Sequence, residues 1–148
     1  MTPANLLDLI GRLEAATGPD RELDADIWML FDPQAANGAM QLGIAFSNRD
    51  WTQEEKQRKG RDRLKRQSMA YTASIDAALT LVPDCPSDKR KDFKSNWWWT
   101  IEAFAGSKGS GKDGYLSRVY NADETNTFGT ASTAPIALCI AALKARLP

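Results

Sequence analysis

The stretch Trp97-Trp98-Trp99-Thr100-Ile101-Glu102-Ala103-Phe104 decides how this chain is read. Side chains alternate across a strand, so Trp97, Trp99 and Ile101 point one way while Trp98, Thr100 and Phe104 point the other. Three neighbouring indoles cannot all enter one small core. Either both faces are covered, as in the middle layer of a sandwich, or one aromatic face looks outward. The strand is expected to begin at Phe93. Beyond it, Gly106 to Gly114 holds four glycines in nine residues. Tyr115 to Asn121 then alternates again, which predicts a hairpin with a glycine-rich tip.

On the C-terminal side, Ser132-Thr133-Ala134-Pro135 reads as a helix start, with Ile136, Cys139, Ile140 and Leu143 as its apolar face. On the N-terminal side, Pro3 opens a helix whose Leu6, Leu9, Ile10 and Leu13 keep helical spacing before Gly18-Pro19 stops it. Asp20 can cap a second helix, with Leu23, Ile27, Leu30 and Phe31 on one face, that ends before Pro33. Pro33 to Ala39, with Asn37-Gly38 as a turn signal, reads as a loop, and Gln41 to Phe46 as a strand. Asn48 to Met69 is almost wholly polar and is expected to be a mobile or helical surface excursion. Thr72 is expected to open a further helix carrying Ile75, Ala78, Leu79 and Val82, which Pro83 ends, with a polar loop to Asp92. Helices around a mostly antiparallel sheet predict an α+β fold, arranged as an α-β-α sandwich.

The chain has 148 residues, 43% of them hydrophobic, with 19 basic and 19 acidic side chains. That fits one domain over residues 1–148 with a charged excursion at about 48–69. There is no histidine, which excludes a Ser-His-Asp triad, a Cys-His pair and every histidine-containing zinc site. Cys85 and Cys139 are too few for a thiolate metal site and are read as free thiols, so neither a metal nor a cofactor is expected. No signal peptide or membrane span is read, and the cytoplasm is the expected location.

Charge is unevenly spread. Residues 1–48 carry two basic and seven acidic side chains, and residues 49–66 carry eight and four. Asp20, Glu22, Asp24 and Asp26 lie two apart, about 200° on a helix, so they cannot converge on one ion. Gly106-Ser107-Lys108-Gly109-Ser110-Gly111-Lys112-Asp113 nearly spells a phosphate-binding loop. However, Asp113 replaces the required hydroxyl, and a strand follows instead of a helix. Glu102 is the best lone acid-base candidate, without an evident partner, so no catalytic residue is assigned.

Ala16-Thr17-Gly18-Pro19-Asp20-Arg21-Glu22-Leu23-Asp24, Tyr71-Thr72-Ala73-Ser74-Ile75-Asp76-Ala77-Ala78-Leu79 and Ala131-Ser132-Thr133-Ala134-Pro135-Ile136-Ala137-Leu138-Cys139 together resemble the phage ABA sandwich domain family, small accessory proteins of phages and prophages. The resemblance covers about residues 6–32 and 70–147. It implies an α-β-α sandwich and supplies no reaction, and residues 33–69 depart from the family's pattern.

The candidate ligand-binding residues are Trp97, Trp98 and Trp99 as an aromatic wall, Lys108, Lys112 and Arg118 as cations, Tyr120 beside them, and Ser132 with Thr133 at a helix N-terminus. The expected function is noncatalytic: a phage accessory protein that sequesters a nucleotide immune signal of the host, with a pocket that a homo-oligomer would help to build. The alternatives are an inhibitor that binds a host protein through exposed tryptophans, and a nucleic-acid-binding module using residues 49–66.

Overall fold

A computed structural model describes residues 3–83, 97–105, 113–121 and 126–147. Among them the elements run α1 (Pro3–Ala15), α2 (Arg21–Phe31), α3 (Pro33–Ala45), α4 (Gln53–Gln67), α5 (Ile75–Leu79), β1 (Trp97–Phe104), β2 (Gly114–Asn121), β3 (Asn126–Ala131) and α6 (Ala134–Lys144). The class is α+β, with helices packed on an antiparallel sheet, as the sequence predicts. The chain divides into two compact units, Arg21–Met69 and Thr2–Asp20 with Ala70–Pro148.

In Arg21–Met69, α3 corrects the expected loop and strand over residues 33–46. Asp32 caps it, accepting from the Ala35 amide at 3.0 Å, and Pro33 sits in the first turn, where a missing donor costs nothing. The alternation of Leu42, Ile44 and Phe46 was a false strand signal, and the reason lies in packing. A Cβ on Gly43 would stand 2.8 Å from the Gly60 Cα, and one on Gly60 would stand 2.8 Å from the Met40 carbonyl oxygen. Two glycines therefore let α3 and α4 approach backbone to backbone, which a helix pair allows and a lone strand does not use. Ala25, Ala36, Ala39 and Leu64 fill the core there, with Trp28 and Met29 packed on it.

The charged stretch takes the helical form. Thr52 and Glu55 form a capping box, with the Thr52 amide donating to Glu55 Oε2 at 2.6 Å and the Glu55 amide to Thr52 Oγ1 at 3.2 Å. Backbone donation from Thr52 holds the Glu55 carboxyl below its ordinary range. At the other end of α4, Arg21 donates to the carbonyls of Lys65 and Ser68 and to the buried Asp24 carboxylate at 2.8 Å. Carbonyls left over at the helix end thus find a cation.

In the second unit, β1, β2 and β3 form a meander in that order, and α6 lies on β2 and β3 with α1 and α5 packed against α6. Every residue from Ile136 to Leu143 is buried, so α6 is apolar all round and not on a single face as expected. Gly129 makes this possible: a Cβ there would stand 2.1 Å from the Ala137 carbonyl oxygen. Beside it, Thr127 Oγ1 donates to the Ala141 carbonyl at 2.8 Å. α5 is shorter than expected and starts later, capped by Ser74, whose hydroxyl accepts from the Ala77 amide at 3.3 Å. Thr72 is instead fully buried and accepts from the Asp20 amide at 2.9 Å. Cys139 is a buried thiol donating to the Tyr71 carbonyl. Cys85 and residues 93–96 of the expected strand lie outside the described residues.

Candidate binding face

The register places the site residues. Trp98 pairs with Tyr120, Thr100 with Arg118 and Glu102 with Leu116, while across the next ladder Arg118 pairs with Phe128 and Leu116 with Thr130. Directly opposed residues share a face, so Trp98, Thr100, Glu102, Tyr120, Arg118, Leu116 and Phe128 stand on one side of the sheet. The other side is the one that meets α6, through Thr127 and Gly129. Among the described residues α6 and α1 are the helices that contact the sheet, and the face turned away from α6 is the more open one: Trp98 is 45% exposed and Phe128 is 42% exposed, while Arg118 and Tyr120 are half-buried.

Two contacts organise that face. The Trp98 and Tyr120 rings stack with centroids 5.9 Å apart and planes 24° apart. One rung along, the Arg118 guanidinium lies 5.0 Å from the Phe128 ring centroid. Arg118 Nε is buried, with no hydrogen-bond partner among the described residues. The arrangement presents flat aromatic surface beside a fixed positive charge. It can stack a planar group and neutralise an anion. Glu102 stands exposed on this face.

The three indoles do not form one wall. Trp98 belongs to the open face, whereas Trp97 and Trp99 point to the α6 side, Trp99 opposite Val119 and 39% exposed beside the edge of the sheet. Their division follows from the two-residue period of the strand. Lys108 and Lys112 lie outside the described residues.

Ser132 and Thr133 sit at the far end of the sheet from the Trp98–Tyr120 pair and do not join it. Ser132 Oγ donates to the Thr17 carbonyl at 3.1 Å, tying the end of α1 to the start of α6. Thr133 occupies the N-cap of α6 yet makes no side-chain capping bond, and its Oγ1 is buried with no partner among the described residues. A groove of about 560 Å³ opens there, lined by Glu14, Thr17, Phe104, Asp113, Gly114 and Ser132 among others. Phe128 and Leu116, which complete the open face, were not singled out from sequence. Their only signal is the alternation of β2 and β3, and Gly129 interrupts it in β3.

The acidic residues of α2 have a structural use. Arg61 binds Glu22 at 2.9 Å and Asp26 at 2.6 Å, and Lys65 binds Glu22 at 2.7 Å. The Lys65 bond, against the opposing effect of burial and with help from Arg61, holds the Glu22 carboxyl below its ordinary range. Burial opposes the charge on Arg61, but bonds from Asp26 and Glu22 outweigh it and raise its proton affinity. Among the described residues no three cysteine, aspartate or glutamate side chains gather as a metal ion would need. Nor is any helix among them long and apolar enough to cross a membrane. No protein-family model, curated protein or solved structure matches the chain.

Proposed function

We propose that this is a phage accessory protein that works by binding, and that the open face of the sheet captures a nucleotide immune signal in the host bacterial cytoplasm. The observation that supports it is the stacked Trp98–Tyr120 pair one rung from Arg118. A base stacks on the paired rings and a phosphate meets the guanidinium. Stacking contributes about 1 to 3 kcal/mol per base, and a charge-assisted hydrogen bond about 1.5 to 3 kcal/mol. Micromolar capture needs about 8.2 kcal/mol. One base and one phosphate on one copy fall short of that, so the reading calls for a second copy of the chain closing over the ligand.

The openness of the face favours a second reading. Small ligands usually sit in concave sites, whereas exposed tryptophan, tyrosine and arginine on a flat surface are the residues that dominate protein interfaces. In that reading the chain inhibits a host protein.

Titration calorimetry with a panel of linear and cyclic nucleotides separates the two. The nucleotide reading expects saturable heat that Trp98→Ala and Arg118→Gln each reduce at least ten-fold in affinity, with intact ligand recovered on heating. Absence of heat with every nucleotide, together with a host protein retained by the native chain and lost by Trp98→Ala, selects the inhibitor. Recovery of a converted nucleotide would reject simple capture.

A further inference from the structure

α4 carries its cations in two rows. Arg61 and Lys65, one turn apart, are held by Glu22 and Asp26, themselves one turn apart on α2. Lys56, Lys59, Arg63 and Arg66 follow at spacings of three, four and three residues, which aligns them in a second row about 15 Å long at 1.5 Å per residue. Among the described residues none of these four forms an ion pair with a carboxylate. The first row fastens α4 within its unit. In the second, Arg66 is exposed and Lys56, Lys59 and Arg63 are half-buried, with Lys56 donating to the Arg49 carbonyl at 3.4 Å.

Aromatic rings accompany the second row. Lys59 Nζ lies 5.9 Å from the Trp51 ring centroid, and the Arg63 guanidinium lies 5.8 Å from that of Phe46. Phe46 is 74% exposed, and Leu42, one turn before it on α3, is exposed as well. The sequence of α3 contains no charged residue, so nothing on that helix offsets the row. A groove of about 260 Å³ beside Trp51 is lined by Arg58 and Lys59 and also by Glu55 and Asp62. Both acids are engaged, Glu55 in the capping box and Asp62 with Lys65 at 3.3 Å.

We infer that this edge of α4 is a site for single-stranded nucleic acid, distinct from the open face of the sheet and independent of what that face binds. Cations in a line match a linear polyanion better than a compact one, and the row places four charges along one track. Exposed rings next to the track take unstacked bases, which a single strand offers and a duplex hides. A lipid surface would need more apolar area than Leu42, Phe46 and Trp51 provide.

The test is fluorescence anisotropy of a labelled single-stranded oligothymidylate with the full chain. Binding is expected to weaken with salt, the logarithm of affinity falling with a slope of about −2 to −3 against the logarithm of salt concentration, for three or four phosphates neutralised. Lys56→Gln with Lys59→Gln and Arg66→Gln should lower affinity at least ten-fold and flatten the slope. Trp51→Ala should lower affinity about five-fold or more with the slope kept. Arg12→Gln, on α1, should change neither. Circular dichroism melts confirm that each variant is folded. Undiminished binding by the triple variant would overturn the site, as would sedimentation with phosphatidylserine vesicles and no affinity for the oligonucleotide.

Discussion

Gly129→Ala tests how the second unit is packed. A Cβ at this position would stand 2.1 Å from the Ala137 carbonyl oxygen, 2.7 Å from the Ala141 amide nitrogen and 2.8 Å from Ile140 Cβ. Ordinary contact begins at 3.4 Å, so α6 must retreat by about 1.3 Å at its closest point. Two of the three obstructing atoms are backbone, so no rotamer change relieves them. The retreat also lengthens the 2.8 Å bond from Thr127 to Ala141. Overpacking costs about 1 to 3 kcal/mol, and a clash against backbone sits at the upper end. Replacing a strand glycine by alanine returns only about 0.5 to 1 kcal/mol. The net, about 2 to 2.5 kcal/mol, should lower Tm by roughly 4 to 10 °C for a chain of this size. Thermal melts followed by hydrogen exchange at the α6 amides read both the size and the place of the loss. Gly38→Ala is the control: it is exposed within α3 and its added Cβ meets nothing within 4 Å. It should raise stability by about 0.5 to 1 kcal/mol. A Gly129→Ala chain that melts within about 2 °C of its parent, with α6 amides protected as before, would refute the close approach.

Thr133→Val replaces a buried hydroxyl, without a partner among the described residues, by a methyl of similar shape, so a denaturant titration should show unchanged or slightly raised stability, by up to about 1 kcal/mol. Glu22 has a lowered folded pKa, so its stabilising contribution is complete above the ordinary value of 4.5 and is lost as pH falls through the folded value. Urea midpoints of the native chain should therefore drop on acidification below 4.5 more than those of Glu22→Gln, and parallel curves would contradict this. Lys65 has a raised folded pKa, so its contribution persists up to 10.5 and is lost as pH rises through the folded value, which Lys65→Met should abolish in the same assay.

Where local signals and packing agreed, the sequence was readable. α1 and α2 carry apolar residues at helical spacing, with Gly18-Pro19 between them and Pro33 after them, and both helices lie within those bounds. The alternation from Trp97 to Phe104 gave the correct facing of every indole, because a two-residue period leaves no other choice. α3 reads as loop and strand because Asn37-Gly38 signals a turn locally, while Gly43 serves a close helix contact seventeen positions away in sequence, at Gly60. β3 was missed for a related reason: Gly129 looks like a break but is the point where a helix presses on the strand. For the site, the stacking of Trp98 on Tyr120 and the neighbouring Arg118 were legible as types, but only the register puts them on one face. That α2 acids bind α4 cations could not be read from either segment, since each alone looks like solvated charge.

The all-round burial of α6 bears on the order in which the molecule is made. The apolar stripe of α1, formed by Leu6, Leu9, Ile10 and Leu13, rests on a helix that begins at Ala134. At ribosomal speeds of about 5 to 20 residues per second, α1 emerges roughly 6 to 24 seconds before its partner exists. Over that interval the contiguous segment Arg21–Met69 already possesses all of its own helices. The nascent chain thus holds every helix of that segment while the apolar stripe of α1 still waits for α6 to arrive.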